Sequence, residues 1–304
     1  MKRLLLTAMI ALLLGGGVTW ADTFEDGMAA LIAGKYEKAF KLFHAAAGQK
    51  DARAQYNLGV MYVNGHGVPK DYVKAAQWYR KAADQGYAGA QYNLGVMYTK
   101  GQGLSRDYDL ARNWYRKAAD QGDAGAQYNL GLMYYAGLGV PQDYGQAMQW
   151  YRKAADQGDA GAQYNLGLMY SKGQGVPRDY ALGMMWFRKA ADQGHADAQH
   201  NLGVMYEGGK GAPQDYAQAM NWYRKASDQG LADAQFNQGV HYVKGQGVAK
   251  DFVQAMKWFN IAKVNGLTEA DKVLQLVESK TTPAQIAEAR RLARDWWAAH
   301  HPGQ

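Results

Sequence analysis

The chain contains no cysteine, which removes disulfide frameworks, Cys-ligated zinc, iron–sulfur clusters and thiol nucleophiles together. Serine is confined to positions 105, 171, 227 and 279, none in a G-x-S-x-G or S-x-x-K setting, so acyl-enzyme chemistry has no sequence support. No segment alternates as a strand would. Beyond residue 21 no run is apolar enough to cross a membrane. Charge of one sign is also scarce: the formal balance is +7 over 304 residues, and it drops by two without Lys2 and Arg3.

Those two cations open a segment built like a secretory signal. Leu4 to Leu14 form an apolar stretch too short to span a bilayer, Gly15-Gly16-Gly17 breaks it, and Thr19-Trp20-Ala21 precedes an expected cleavage after Ala21. Asp22 follows, not a lipidated cysteine. The mature chain is therefore expected to be exported, in the periplasm or secreted, without membrane insertion.

What the sequence has in abundance is itself. The string AQYNLG begins at Ala54 and Gln55 and returns with Gln91, Gln127 and Gln163, with degraded copies at Gln199 and Gln235, a period of 36 residues. Such a period means stacked supersecondary units that cover one another's apolar faces. In one unit Ala54, Leu58, Met61 and Tyr62 form the stripe of a first helix, and Gly59 admits a close neighbour. Gly65 ends that helix, Pro69 blocks its continuation, and Asp71 caps a second helix reaching Gly86. The second stripe is Tyr72, Ala75, Ala76, Tyr79, Ala82 and Ala83, with Trp78 beside it.

The expected organisation is a signal at 1–21, a tetratricopeptide-like helix pair at 22–51, six repeats at 52–267 and capping helices at 268–304. Thr282, Pro283 and Gln285 read as a capping box opening the last helix, whose apolar face is Ile286, Ala289, Ala293, Trp296 and Trp297. The fold class is all-α, a right-handed superhelix of helical hairpins.

A-Q-Y-N-L-G-V-M-Y, then G-x-G-V-P-x-D-Y, then W-Y-R-K-A-A-D-Q-G, resembles the Sel-one-like repeat of the tetratricopeptide-like superfamily, over roughly Ala52 to Gly266. The resemblance implies an adaptor or scaffold, in bacteria often exported for envelope assembly or host contact. Cysteine-rich members are described as binding or hydrolysing penicillins, and this chain lacks their cysteine pairs.

Catalysis needs its groups once, so residues copied into every unit are assigned to geometry: the asparagines equivalent to Asn57, the caps equivalent to Asp71, and the tryptophans equivalent to Trp78. The Arg80-Lys81 pair and its copies are expected to be compensated by Asp84 and its copies one turn on. Gly65 and Gly67 lack the third glycine and preceding strand of a dinucleotide site. No histidine pair has metal-ligand spacing. The expectation is a noncatalytic protein with no cofactor, no metal and no nucleic-acid partner.

The resemblance places peptide binding on one face of the first helices. Carried onto this chain, that concave face is Arg53, Tyr56 and Asn64 in the first full unit, then Tyr92, Lys100, Tyr128, Tyr135, Tyr164, Lys172, His200, Glu207, Phe236 and Lys244. The partner is expected to be another protein or peptide of the envelope or outside the cell. An aromatic row with variable polar neighbours suits an extended peptide; packing of the tyrosines between repeats is the competing role. Two other readings are an envelope protein acting on β-lactams or peptidoglycan fragments, and a secreted factor engaging a host surface.

Overall fold

The computed structural model describes residues 20–301, so the signal segment lies outside it apart from Trp20 and Ala21, whose backbone already belongs to a helix. The described residues form sixteen helices and no strand. None is long and apolar enough to cross a membrane.

Two compact units divide between Gln142 and Asp143. The first holds α1 (Trp20–Ile32), α2 (Tyr36–Gly48), α3 (Ala52–Asn64), α4 (Tyr72–Asp84), α5 (Ala88–Lys100), α6 (Tyr108–Asp120) and α7 (Ala124–Ala136). The second holds α8 (Tyr144–Asp156), α9 (Ala160–Lys172), α10 (Tyr180–Asp192), α11 (Ala196–Gly208), α12 (Tyr216–Asp228), α13 (Ala232–Lys244), α14 (Phe252–Val264), α15 (Glu269–Glu278) and α16 (Pro283–His300). Within each unit a helix packs on its predecessor and successor, hairpin upon hairpin, except at the C-terminal end, where α16 packs chiefly on α14.

Local chemistry sets the boundaries. The Asp51 carboxylate accepts from the Arg53 and Ala54 amides at 2.8 and 3.2 Å and starts α3. Gly65 ends it in the left-handed region at φ 73°. Asp71 accepts from the Lys74 amide at 2.9 Å and starts α4. Two glycines are required by close approach. A Cβ at Gly59 would stand 2.5 Å from the Tyr79 ring, and one at Gly67 would stand 2.6 Å from the Tyr36 backbone of the preceding hairpin.

The expected stripes are the core. Ala54, Leu58, Met61, Ala75, Ala76, Tyr79, Ala82 and Ala83 are buried, while Tyr62, Tyr72 and Trp78 are half-buried. A buried amide joins neighbouring hairpins. Gln91 donates to the Ala83 carbonyl at 3.1 Å and accepts from Gln121 at 2.8 Å, so its side chain satisfies the end of one second helix and ties to the next. The same bonds recur at Gln55, Gln163 and Gln199.

The basic pairs behave otherwise than expected. Lys81 lies over the Trp78 ring at 3.8 Å instead of reaching Asp84, and Lys117, Lys189 and Lys225 lie over Trp114, Trp186 and Trp222 at 4.0 to 4.2 Å. Arg80 crosses to the next repeat, over Trp114 at 5.0 Å, and bonds the Tyr98 hydroxyl. Arg188 repeats this with Trp222 at 4.6 Å and Tyr206 at 2.9 Å. The cause is geometric: Trp78 and Lys81 share a helix face at i,i+3, and a desolvated ring face holds the cation better than an exposed carboxylate. These rings are core, with Trp186 1% exposed.

At the C-terminal end the Thr282–Gln285 capping box forms as expected. Ala289 and Trp296 are buried, and Trp296 meets Trp258 edge to face with ring centroids 5.7 Å apart.

Candidate functional site

In the first unit Arg53 is held by Asp51 at 2.8 Å and Glu25 at 3.6 Å and lies over the Phe24 ring, so it fastens the N-terminal hairpin. Tyr56 is half-buried against the Tyr79 and Tyr87 rings, 5.7 and 5.0 Å away, and the next first helix meets it at Gly89. The Asn93 amide faces the Tyr56 and Tyr79 hydroxyls, both pushed upward in pKa by burial. Tyr92 likewise packs on Tyr115 at 6.0 Å and against Gly125. Tyr128 and Tyr135 are half-buried, and Asn64 and Lys100 are exposed at the helix ends.

In the second unit Tyr164 packs on Phe187 at 5.7 Å and stacks on His195 at 4.7 Å. Phe236 packs on Phe259 at 5.4 Å. Lys172 and Lys244 are exposed. The rings of Tyr56, Tyr92, Tyr164 and Phe236 are thus packed between helices and half-buried. Their variable neighbour serves packing too: the residue at the Thr99 position faces the second-helix ring, with Thr99 3.3 Å from the Tyr115 hydroxyl, which burial pushes up to about 12.

The face changes character on α11 and α13. His200 and Glu207 are brought together there with residues that sequence reasoning passed over. The Tyr223 hydroxyl donates to Glu207 Oε2 at 2.6 Å, and His241 Nε2 lies 3.3 Å from the same oxygen. His241 is fully buried, its Nδ1 2.9 Å from the Gln246 carbonyl. The His241 contact, ahead of the opposing effect of burial, takes the Glu207 carboxyl from its ordinary 4.5 to about 2; Tyr223 and Lys244 add to this. Gln238, 1% exposed, lies one turn away. Where five earlier repeats have leucine and methionine, from Leu58 and Met61 to Leu202 and Met205, this one has Gln238 and His241. Comparing the six copies at buried positions is the signal that finds them.

A second departure surrounds His200. The glycines at 89, 125 and 161 give way to Asp197 and Asp233, both exposed. Burial holds the His200 imidazole below its ordinary range against the upward pull of Asp233, Asp197 and Glu207. Asn237 Nδ2 lies 3.0 Å from His200 Nε2. Chemically this is a set of fixed charges. A carboxyl ionised down to about pH 2 is too weak a base for proton transfer near neutrality, and the phenol beside it is pushed upward. Among the described residues no group of His, Asp and Glu could hold a metal ion.

The family model described as Sel1 repeat matches seven segments, 26–51, 52–87, 88–123, 124–159, 160–195, 196–231 and 232–263. The chain belongs to the Sel1 repeat family. The N-terminal helix pair at 26–51 is matched along with the six longer units. A Sel1 repeat protein from Oxalobacter formigenes, known from a crystal structure, is 36% identical, covers 79% of this chain and 96% of its own, and superposes with a TM-score of 0.72. The crystal structure of c5321, a protective antigen of uropathogenic Escherichia coli strains with an SLR fold, is 30% identical, covers 88% of this chain and 73% of its own, with a TM-score of 0.55. Among curated proteins none matches. Sel1 repeat solenoids typically serve as protein-interaction scaffolds, and this chain shares their all-α hairpin fold.

Proposed function

We propose that this Sel1 repeat protein is a noncatalytic scaffold, exported to the periplasm or beyond the cell, that holds another protein on its first-helix face. One observation carries the reading. On that face the otherwise constant repeat departs from itself in a connected group, in which Asp197, Glu207 and Asp233 all act on the His200 imidazole. Departures that only maintained packing would have no reason to place two exposed carboxylates on the first-helix face that also carries Val204, an aliphatic side chain that is itself 37% exposed. An apolar strip with fixed charges at its border is how a helical groove combines affinity with register.

A photocrosslinking residue placed at Val204 in cells, with the captured protein identified, tests this. Asp197→Ala together with Asp233→Ala, both exposed and helix-compatible, should cut capture of that protein by about tenfold or more. Capture that survives the double change, or that is equally efficient from the exposed Lys153 on a second helix, contradicts the reading. Host engagement is the second reading, supported by the similarity to c5321, a protective antigen. Recovery of the chain from the medium and not from periplasmic extract would favour it.

A further inference from the structure

The outward face of the second helices carries Arg80, Lys81 and Asp84, and the charged triplet recurs in the next four repeats. In the last repeat the equivalent positions are Asn260, Ile261 and Val264. Ile261 is buried beneath α16 through the Trp258 and Trp296 cluster, but Val264 remains 64% exposed. The helix that closes this end therefore covers only part of the apolar surface that replaced the charges. What is left uncovered is a cavity of about 450 Å³ between α14 and α16. That size falls within the roughly 300–1,000 Å³ of small-molecule sites.

Its floor is Ile261, Val264, Ala293 and Trp297. Its charged rim is cationic: Arg294, which is exposed, and Arg290, which shares its guanidinium with Glu278 at 2.9 Å. The His301 ring stacks on Trp297 at 3.9 Å and closes one side. Among the described residues no carboxylate lines the cavity. The helical walls have spent their backbone groups on their own ladders, so a peptide's amides would find few partners there, whereas an alkyl chain has none to satisfy.

We infer that the cavity between α14 and α16 binds a small aliphatic carboxylate of the fatty-acid class, its chain on Ile261, Val264 and Trp297 and its head on the Arg294 guanidinium. This site is separate from the first-helix face and does not rest on the function proposed above. The probe is decanoate, titrated calorimetrically into the full chain, with the uncharged decanamide and a leucine-terminated tripeptide as comparators. The expected result is saturable binding of one decanoate per chain, weakened by about tenfold or more in decanamide and in Arg294→Glu, because a charge-assisted pair is lost in each. Val264→Asp restores the residue of the other repeats at an exposed site and should abolish binding with the helical circular dichroism unchanged. Lys38→Glu, remote in sequence and exposed, should bind as the parent does. If Val264→Asp fails to fold, Arg294→Glu and decanamide decide. The inference is overturned by absence of saturable decanoate binding below micelle formation, by equal binding of decanamide, by parental affinity in Arg294→Glu, or by a tripeptide that binds where decanoate does not.

Discussion

The second and sixth repeats are built on the same plan and differ in what they bury. In the second, Leu94 and Met97 are buried apolar residues of the first helix, and Thr99 lies 3.3 Å from the Tyr115 hydroxyl. In the sixth, Gln238 and His241 take those places, and from the repeat before, the Glu207 carboxylate lies 3.3 Å from His241 and accepts from the Tyr223 hydroxyl. Buried polar groups cost free energy that apolar ones do not. A chain able to repeat Leu and Met five times has kept a less stable arrangement where its first-helix face carries fixed charge, which is the pattern expected where function competes with packing.

The largest effect should come from disturbing the regular repeat. Leu94→Ala is expected to destabilise by about 2–5 kcal/mol, as loss of a fully buried leucine does, read from the midpoint of urea unfolding. The converse change sharpens the comparison. Returning the sixth repeat to the common pattern with Gln238→Leu, His241→Met and Glu207→Thr should raise stability by up to about 1–3 kcal/mol, since Leu and Met replace two buried polar side chains. A loss of stability would show that the polar cluster is an adapted core and would remove the argument for competition.

Gly59→Ala tests the close approach that recurs at Gly95, Gly167, Gly203 and Gly239. Its Cβ would press on the Tyr79 ring, and overpacking of this kind costs about 1–3 kcal/mol. An unchanged urea midpoint would mean that the second helix can shift.

Acid should separate the regions further. Glu207 has its carboxyl lowered from 4.5 to about 2, so its stabilising contribution is complete above about 4.5 and is lost as pH falls through that window. His200 is held below its ordinary 6.5 by burial, so its protonation also favours unfolding as pH falls. Both act in the same direction. A His200→Tyr, Glu207→Thr chain should lose less stability between neutral pH and pH 3 than the parent, measured by denaturant midpoints at each pH. The smallest effect is expected at the cation–ring contacts, where Lys117→Met should cost about 1 kcal/mol or less.

The legibility of these features followed how local their causes are. Asp71 as a cap, Gly65 as a left-handed stop and Gly59 as a gap could be read because each depends on a few neighbours along the chain. Arg80 could not: its partners, Tyr98 and Trp114, belong to the next repeat, and nothing in the spacing favours them over Asp84. The tyrosine row was legible as a row, but the packing of Tyr56 between Tyr79 and Gly89 is tertiary. His241 and Gln238 were visible as departures from Met61 and Leu58, and a histidine count by ligand spacing overlooked His241 because its contacts are Glu207 and Tyr223, not a metal.

The most direct measurement is parallel determination of stability and partner capture for one chain carrying Asp197→Ala, His200→Tyr, Glu207→Thr, Asp233→Ala, Gln238→Leu and His241→Met. The account predicts a higher unfolding midpoint and loss of the protein crosslinked from Val204. A chain that still captures that protein undiminished contradicts it, whatever its midpoint.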